Sequence, residues 1–259
     1  VDLHSYQSSA DDMVKLSKCD LFIYVGGESD AWVDDALKSA QNKNMKVINL
    51  LDVLGNSVKE EEQVEGMQAE EEEEEGEDEA PEYDEHVWLS LKNAKTLCSS
   101  IADALCEIDS NNADVYKKNL NEYTKNLDAL DKEYQQVVNS AKYDTLVFGD
   151  RFPFRYMVDD YSLKYYAAFV GCSAETEASF ETIKFLANKV DELGVTTVLT
   201  IENPKHKIAQ TVVENTKEKN QKILALNSMQ SVTSDDVKSG ETYLNVMQSN
   251  LDVLKQALN

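Results

Sequence analysis

Apolar and polar positions alternate with two different periods along the first hundred residues. Short apolar runs at residues 21–25 and 46–50 are bounded by polar and glycine residues, which predicts two strands. The stretch from Ala31 to Ala40 between them has helical spacing. Strand, helix and strand in this order predict parallel pairing, because the crossover helix returns the chain to the edge where the first strand began. A further helix is predicted from Trp88 to Ile108.

A long helix is predicted from Ala113 to Ala141, because this stretch has no Gly or Pro and places apolar residues three and four positions apart. At 1.5 Å per residue it would be about 40 Å long. The alternation then resumes, with strands predicted at 145–148, 165–169, 197–201 and 222–226 and helices at 179–193, 207–219 and 241–258. The pattern predicts an α/β fold of two lobes, residues 1–110 and 143–259, with mainly parallel sheets flanked by helices, joined by the helix within residues 111–142.

The negative charge of the chain is concentrated in one segment. The formal net charge is −24, and 16 of the 49 acidic residues lie between Glu60 and Glu85, where no Lys or Arg occurs. The other residues carry 33 acidic against 25 basic side chains, a net charge of −8. Such a run repels itself and has little to bury. We therefore expect the acidic loop, residues 60–85, to be solvated and mobile, and to gather cations without contributing to a tight site.

Several classes of function are disfavoured by composition and motifs. A nucleic-acid or anionic-membrane partner would need a basic surface, which this chain lacks. The four cysteines include no C-x-x-C pair, and each is interpreted as a small buried hydrophobe. An enzyme is not expected, since no nucleophile-elbow, P-loop or H-E-x-x-H signature accompanies the acidic residues that could form an acid–base pair.

The most specific signal lies around two of the three histidines. Residues 2–6 read D-L-H-S-Y ahead of the first strand, and residues 85–89 read E-H-V-W-L after the acidic run. Residues 109–119 follow the pattern D-x-x-N-x-x-x-Y-x-x-N, and residues 242–250 follow T-Y-L-x-x-M-x-x-N. These motifs, in this order and over essentially the whole chain, resemble the zinc and manganese solute-binding lipoproteins of bacterial ABC importers.

That resemblance implies a C-shaped clamp whose two lobes hold a metal ion in the cleft between them. It implies an extracytoplasmic monomer, either a cell-surface lipoprotein or a periplasmic protein, that captures zinc, with manganese as the alternative, and delivers it to an ABC importer permease. The charged loop before the second histidine is often His-rich in that family and is proposed there to collect metal. Relative to the family, a strand and a helix are expected to be missing ahead of the first histidine.

Carried over by position, His4 and His86 match the first two metal ligands of the family. The third position, counted back from a tyrosine in the first strand-to-helix turn of the second lobe, holds Arg151, which cannot ligate a cation. The fourth position holds Asn227, a neutral and weak zinc donor.

Two carboxylates at strand ends are predicted to replace the missing ligands. Asp150 precedes Arg151 directly, and Glu202 follows the strand at 197–201, with water as the alternative to Glu202. Two histidines and two carboxylates are sufficient for zinc; the oxygen donors tilt such a set somewhat toward manganese, but the order of metal affinities still favours zinc. His206 is interpreted as an exposed loop residue.

A second interpretation stays open at this point. Arg151 and Asn227 would also be expected in a clamp that has lost its metal and binds an anion or a protein. Under that interpretation Asp150 and Arg151 form a structural ion pair and Glu202 is solvated. Stoichiometric metal in the purified protein would separate the two interpretations.

Overall fold

The computed structural model describes residues 4, 6–68, 82–173, 177–202 and 205–259. The helices of the described residues are α1 (Ala10–Lys18), α2 (Val33–Lys38), α3 (Leu50–Leu54), α4 (Leu91–Ile108), α5 (Ala113–Asn139), α6 (Arg155–Tyr161), α7 (Phe180–Leu193), α8 (Lys207–Asn215), α9 (Ser234–Lys238) and α10 (Tyr243–Ala257). The strands are β1 (Leu21–Tyr24), β2 (Lys46–Asn49), β3 (Thr145–Val147), β4 (Arg151–Phe152), β5 (Lys164–Tyr166), β6 (Phe169–Val170), β7 (Thr197–Thr200) and β8 (Lys222–Ala225). None of these helices has the length and apolarity required to cross a membrane.

The strands pair in parallel, which confirms the predicted α/β fold class. β1 pairs with β2, β3 with β5, β4 with β6, and β7 with β8. A parallel bridge between Phe148 and Leu199 places β3 beside β7, which gives the strand order β5-β3-β7-β8. The carboxyl ends of parallel strands meet at one edge, so residues that follow β3 and β7 lie close together.

The long predicted helix is present without a break as α5. It ends at Asn139, two residues before the predicted end. Its inward face carries Leu127, Leu130 and Tyr134, which are buried in the largest core cluster. That cluster also contains residues from both sides of α5 in the sequence, so α5 is packed into the core over part of its length. The division into lobes at residues 110 and 143 stays a prediction.

In the second half of the chain one predicted strand was wrong, and some short elements were not predicted. The strand predicted at 165–169 is two strands, because β5 pairs with β3 whereas β6 pairs with β4. Helix α6 and strand β4 were not predicted, since seven and two residues are too short to show a clear period. In the first half α1 was also missed, although Ser9 and Asp12 form a capping box at its start.

The prediction of a wholly solvated acidic loop was wrong at both of its ends. Residues 69–81 lie outside the described part of the chain. In the part that is described, Glu60 bridges to Tyr83 in antiparallel fashion, and Val64 and Met67 pack against the largest core cluster. Asp84 and Glu85 are buried as well. The few apolar side chains at the start of the run therefore suffice to fix that part of it.

The buried hydroxyl of Tyr134 links α5 to α10, which gives a test of this packing. It donates a hydrogen bond to the carbonyl of Met247 over 2.7 Å, and Tyr134 is fully buried. Tyr134→Phe leaves that carbonyl without its partner, and we expect the free energy of unfolding to fall by about 1–3 kcal/mol. Denaturant unfolding measures the change.

Tyr123→Phe is the matched control on the same helix. The hydroxyl of Tyr123 makes no hydrogen bond to any residue that the structure describes. We expect this change to stay within about 0.5 kcal/mol of the unmodified protein. Equal losses in the two variants would contradict a role for the Tyr134 hydrogen bond.

Candidate metal centre

His86 is fixed by the residues immediately before it. The Asp84 carboxylate accepts a hydrogen bond from the backbone N–H of His86 over 2.8 Å and lies 3.0 Å from its Nδ1. His86 is completely buried at the start of a short 3₁₀ turn, Val87–Leu89. Because a carboxylate holds Nδ1, the second ring nitrogen, Nε2, is directed to the opposite side. This arrangement is the one by which proteins orient a metal-binding histidine.

His4 meets His86 through the same ring nitrogen. The two Nε2 atoms are 3.1 Å apart, and two nitrogens bound to one tetrahedral zinc ion are about 3.3 Å apart. On the other side of the ring, Nδ1 of His4 lies 2.9 Å from Oγ of Ser29 and 3.8 Å from the Glu85 carboxylate. The turn that carries Ser29 needs Gly27, which has φ +85° and whose Cβ, if present, would collide with Glu85.

Cys172 supplies a third donor from the other side of α5 in the sequence. It follows β6 by one residue, and its Sγ lies with the nitrogens of His4 and His86 in a group whose atoms are all within 4.8 Å of one another. The intervening Gly171 allows this approach, because a Cβ there would lie 3.0 Å from Cε1 of His86. Among the described residues, these three alone form such a group of His, Cys, Asp or Glu donors.

The environment of the three donors is acidic. His4 and Cys172 line a cavity of about 270 Å³ together with Glu28, Glu61 and Glu85, and the described residues of its lining include no Lys or Arg. Burial raises the pKa of the Cys172 thiol far above its usual value, and the Glu61 carboxylate raises it further. Burial also raises the pKa of Glu61 and Glu85. An acidic, partly closed cavity of this kind attracts cations.

Trp88 packs against the same histidine. Its ring centroid is 5.5 Å from that of His86, and its Nε1 donates a hydrogen bond to the carbonyl of Ser228 over 2.9 Å. The indole therefore bridges the donor group and the turn after β8.

The structure brings together two of the four predicted ligands and separates the other two from them. Asp150 accepts hydrogen bonds from the backbone N–H of Arg151 over 3.0 Å and from the hydroxyl of Thr200. Glu202 accepts two from Ser228, each 2.7 Å long. Both carboxylates thus hold the strand-end turns in place. Ligation by Asp150 or Glu202 stays a prediction, and these contacts leave it without geometric support.

The two positions where the family resemblance placed ligands also hold turns together. The Arg151 guanidinium donates hydrogen bonds to Gln230 Oε1 over 2.8 Å and to the carbonyl of Ser173 over 3.3 Å. Asn227 accepts one from the backbone N–H of Met229 over 2.8 Å. Arg151 therefore steadies the residue next to Cys172.

The interpretation of one cysteine and that of one histidine need correction. Cys172 was interpreted as a buried hydrophobe, whereas it is half-buried with its thiol beside two imidazoles. A signal was present in the sequence, because Cys172 lies shortly after an apolar strand of the second half, separated from it by Gly171. His206 is also half-buried rather than exposed, and its Nδ1 lies 3.3 Å from the hydroxyl of Thr200.

Comparison with known proteins adds an independent line of evidence. The model of a family described as ZnuA, zinc-uptake complex component A, periplasmic, matches residues 1–257. The zinc-binding lipoprotein AdcA of Streptococcus pneumoniae is 32% identical over 254 residues, which are 98% of this chain and 48% of that protein. The high-affinity zinc uptake system protein ZnuA of Bacillus subtilis is 28% identical, covering all of this chain and 78% of that protein. The chain thus spans about half the length of its AdcA relatives.

Solved structures agree with this comparison. The Zn(II)-bound ZnuA-like domain of S. pneumoniae AdcA superposes with a TM-score of 0.74 at 29% identity, covering 100% of this chain and 87% of that one. The metal-dependent lipoprotein YcdH of B. subtilis gives a TM-score of 0.77 at 25% identity, with the same coverage.

Asp84 provides a test of the site's architecture that leaves all three donors intact. Asp84→Asn replaces the carboxylate behind His86 with a neutral amide, which lowers the basicity of the imidazole and weakens its orientation. We expect the affinity for zinc to fall by about 10–100-fold, the usual cost of losing such a partner. Isothermal titration measures it. Asp52→Asn, on the exposed face of α3, makes the same chemical change and should leave the affinity unchanged.

Proposed function

Because this chain belongs to the ZnuA family, whose model matches nearly its whole length, we propose that it captures a zinc ion and delivers it to an ABC importer. The observation that carries this proposal is the group formed by His4, His86 and Cys172. Two imidazoles and a thiolate are good zinc ligands, and three protein ligands leave one tetrahedral position open.

The thiol strengthens the preference for zinc over manganese that was expected from the sequence. The tilt toward manganese depended on two carboxylate ligands, Asp150 and Glu202. A thiolate is a soft donor that favours zinc over manganese. The thiol proton leaves when the metal binds, and the charge of the ion then compensates the negative sulfur beside the acidic cavity wall.

The remaining parts of the proposal concern the setting of the protein. The relatives are named as a lipoprotein and as a zinc uptake protein, and the family description is periplasmic. We infer an extracytoplasmic location, a monomeric carrier and a permease as the partner that receives the ion. We infer transport as the role, because the relatives are named for zinc binding and zinc uptake.

Metal content tests this function directly. Because the three donors form one site, protein purified without chelator should contain about one zinc ion per chain. Isothermal titration of the metal-free protein should likewise show one tight zinc site. A protein that holds no stoichiometric zinc and takes up neither zinc nor manganese would overturn the proposal in favour of a metal-free clamp.

Removal of single donors locates the site. We expect His86→Ala and Cys172→Ala each to weaken zinc binding by at least about 100-fold, more than the loss of an outer partner costs. His206→Ala and Cys106→Ala are the matched controls, since neither side chain belongs to the donor group, and both should bind zinc as the unmodified protein does. If Cys172→Ala bound zinc as tightly as these controls do, the third donor would have to be another residue.

The thiol also provides a test of selectivity. Cys172→Asp replaces a soft sulfur with a hard oxygen donor at the same position. We expect the ratio of zinc affinity to manganese affinity to fall by at least about tenfold, because carboxylates suit manganese better than thiolates do. Competition titrations with both metals measure the ratio. An unchanged ratio would mean that Cys172 does not contact the ion.

A further inference from the structure

The start of the acidic loop forms a strap across the structure. We use this name for residues 59–68. At one end the strap pairs with the residues before His86: the backbone N–H of Asp84 donates to the carbonyl of Lys59, and the N–H of Glu61 donates to the carbonyl of Glu82, each over 2.9 Å. The strap therefore begins beside the residues that position the two histidines.

The far end of the strap is anchored on the other half of the chain. The backbone N–H of Gln68 donates to the carbonyl of Ala168 over 2.9 Å, and its side-chain oxygen accepts from the N–H of Ser179 over 2.7 Å. The Glu62 carboxylate lies 3.3 Å from Nε of Arg155 and accepts from the hydroxyl of Tyr165 over 3.2 Å. The strap thus ties the histidine side of the site to the cysteine side.

Glu61 lies between these anchors and touches the donor group itself. Its Oε1 accepts a hydrogen bond from the backbone N–H of Cys172 over 3.1 Å. The same carboxylate is near enough to the Cys172 thiol to raise the pKa of that thiol. Glu61 and Cys172 line the same cavity as His4. The Glu61 carboxylate therefore lies at the edge of the space into which the three donors open.

The other buried carboxylates lie on the far sides of the histidines. Asp84 contacts Nδ1 of His86, and Glu85 lies near Nδ1 of His4, whereas the two Nε2 atoms face each other. These carboxylates are placed to orient the rings. Glu61 instead contacts the backbone N–H of Cys172 and lines the cavity in front of the donors; it is outside the group of atoms within 4.8 Å of one another, so its side chain must move toward them to reach the ion.

We propose that Glu61 is the fourth ligand of the captured ion, so that the strap closes the site as the ion binds. The three donors leave one position of a tetrahedral zinc open, and a glutamate oxygen is an accepted zinc ligand. This inference rests on the proposed function, and it contradicts the prediction that the acidic loop stays outside the final site. It also assigns to the strap a ligand that neither Asp150 nor Glu202 is placed to supply.

Two variants of Glu61 separate ligation from the other roles of this side chain. Glu61→Gln keeps an oxygen that can accept the Cys172 N–H hydrogen bond but removes the charged donor. Glu61→Asp keeps the charge but shortens the side chain by one methylene. If Glu61 binds the metal, we expect each variant to lose at least about 100-fold in zinc affinity, more than an outer partner costs, and to release zinc correspondingly faster. Competition with a chromophoric chelator measures both quantities.

Glu65→Gln is the matched control, because it removes one negative charge from the same strap at an exposed position. Its zinc affinity should stay within about twofold of the unmodified protein, since exposed charges are screened. Cobalt-substituted protein gives a second readout. The sulfur-to-cobalt charge-transfer band should persist in Glu61→Gln and disappear in Cys172→Ala, which shows that Cys172 still binds when Glu61 cannot.

Three outcomes would overturn the inference. Normal zinc affinity in both Glu61 variants would mean that Glu61 is not a ligand. If Glu61→Gln lost zinc affinity whereas Glu61→Asp bound zinc normally, the charge of Glu61 would act through space and not by ligation. Loss of the cobalt–sulfur band in Glu61→Gln would make Glu61 a positioning residue for Cys172. In each of these cases the proposed function stands as long as the unmodified protein binds zinc tightly. If the unmodified protein does not bind zinc, both the proposed function and the role of Glu61 are overturned.

Discussion

Two backbone hydrogen bonds hold the donor group together. They join Lys59 to Asp84 and Glu61 to Glu82, and so close the base of a long acidic insertion. This closure brings Glu61 to Cys172, and it helps to position Asp84 and Glu85, which are also held by hydrogen bonds from Tyr156 and from the backbone N–H of Ser29. The insertion therefore organises the site from its base, and the side chains that matter are those nearest the base.

The closure brings negative groups together at a cost. Three carboxylates lie near one another at the site, and two of them, Glu61 and Glu85, have their pKa raised by burial. Like charges in a buried region destabilise each other unless a cation or a proton compensates them. A divalent ion bound as proposed by the histidines and the thiol would supply that compensation, so the repulsion among these carboxylates and the proposed affinity for a metal ion have the same origin.

Much of the fold could be predicted from the sequence, whereas only half of the donor group could. Helix α5 and most strands follow from periodicity, because each has enough residues to display its period. Strands β4 and β6 have two residues each, and the position of Cys172 depends on their pairing. Glu61 is one of 16 acidic residues in a single run, and composition cannot distinguish the one that packs. His4 and His86 were found because their neighbouring residues carry the family pattern.

The contact between Trp88 and His86 makes tryptophan fluorescence sensitive to the site. The chain has only two tryptophans, and the ring of the other, Trp32, lies tilted against that of Tyr6 with the centroids 6.0 Å apart. The Trp88 indole lies edge-on to the ring of a proposed ligand, with its N–H held by Ser228. A metal ion bound by that imidazole would change the electric field across the indole, and the fluorescence emission of indole responds to such fields. The protein thus carries a built-in optical probe of occupancy, which allows binding and release to be followed in real time without a label.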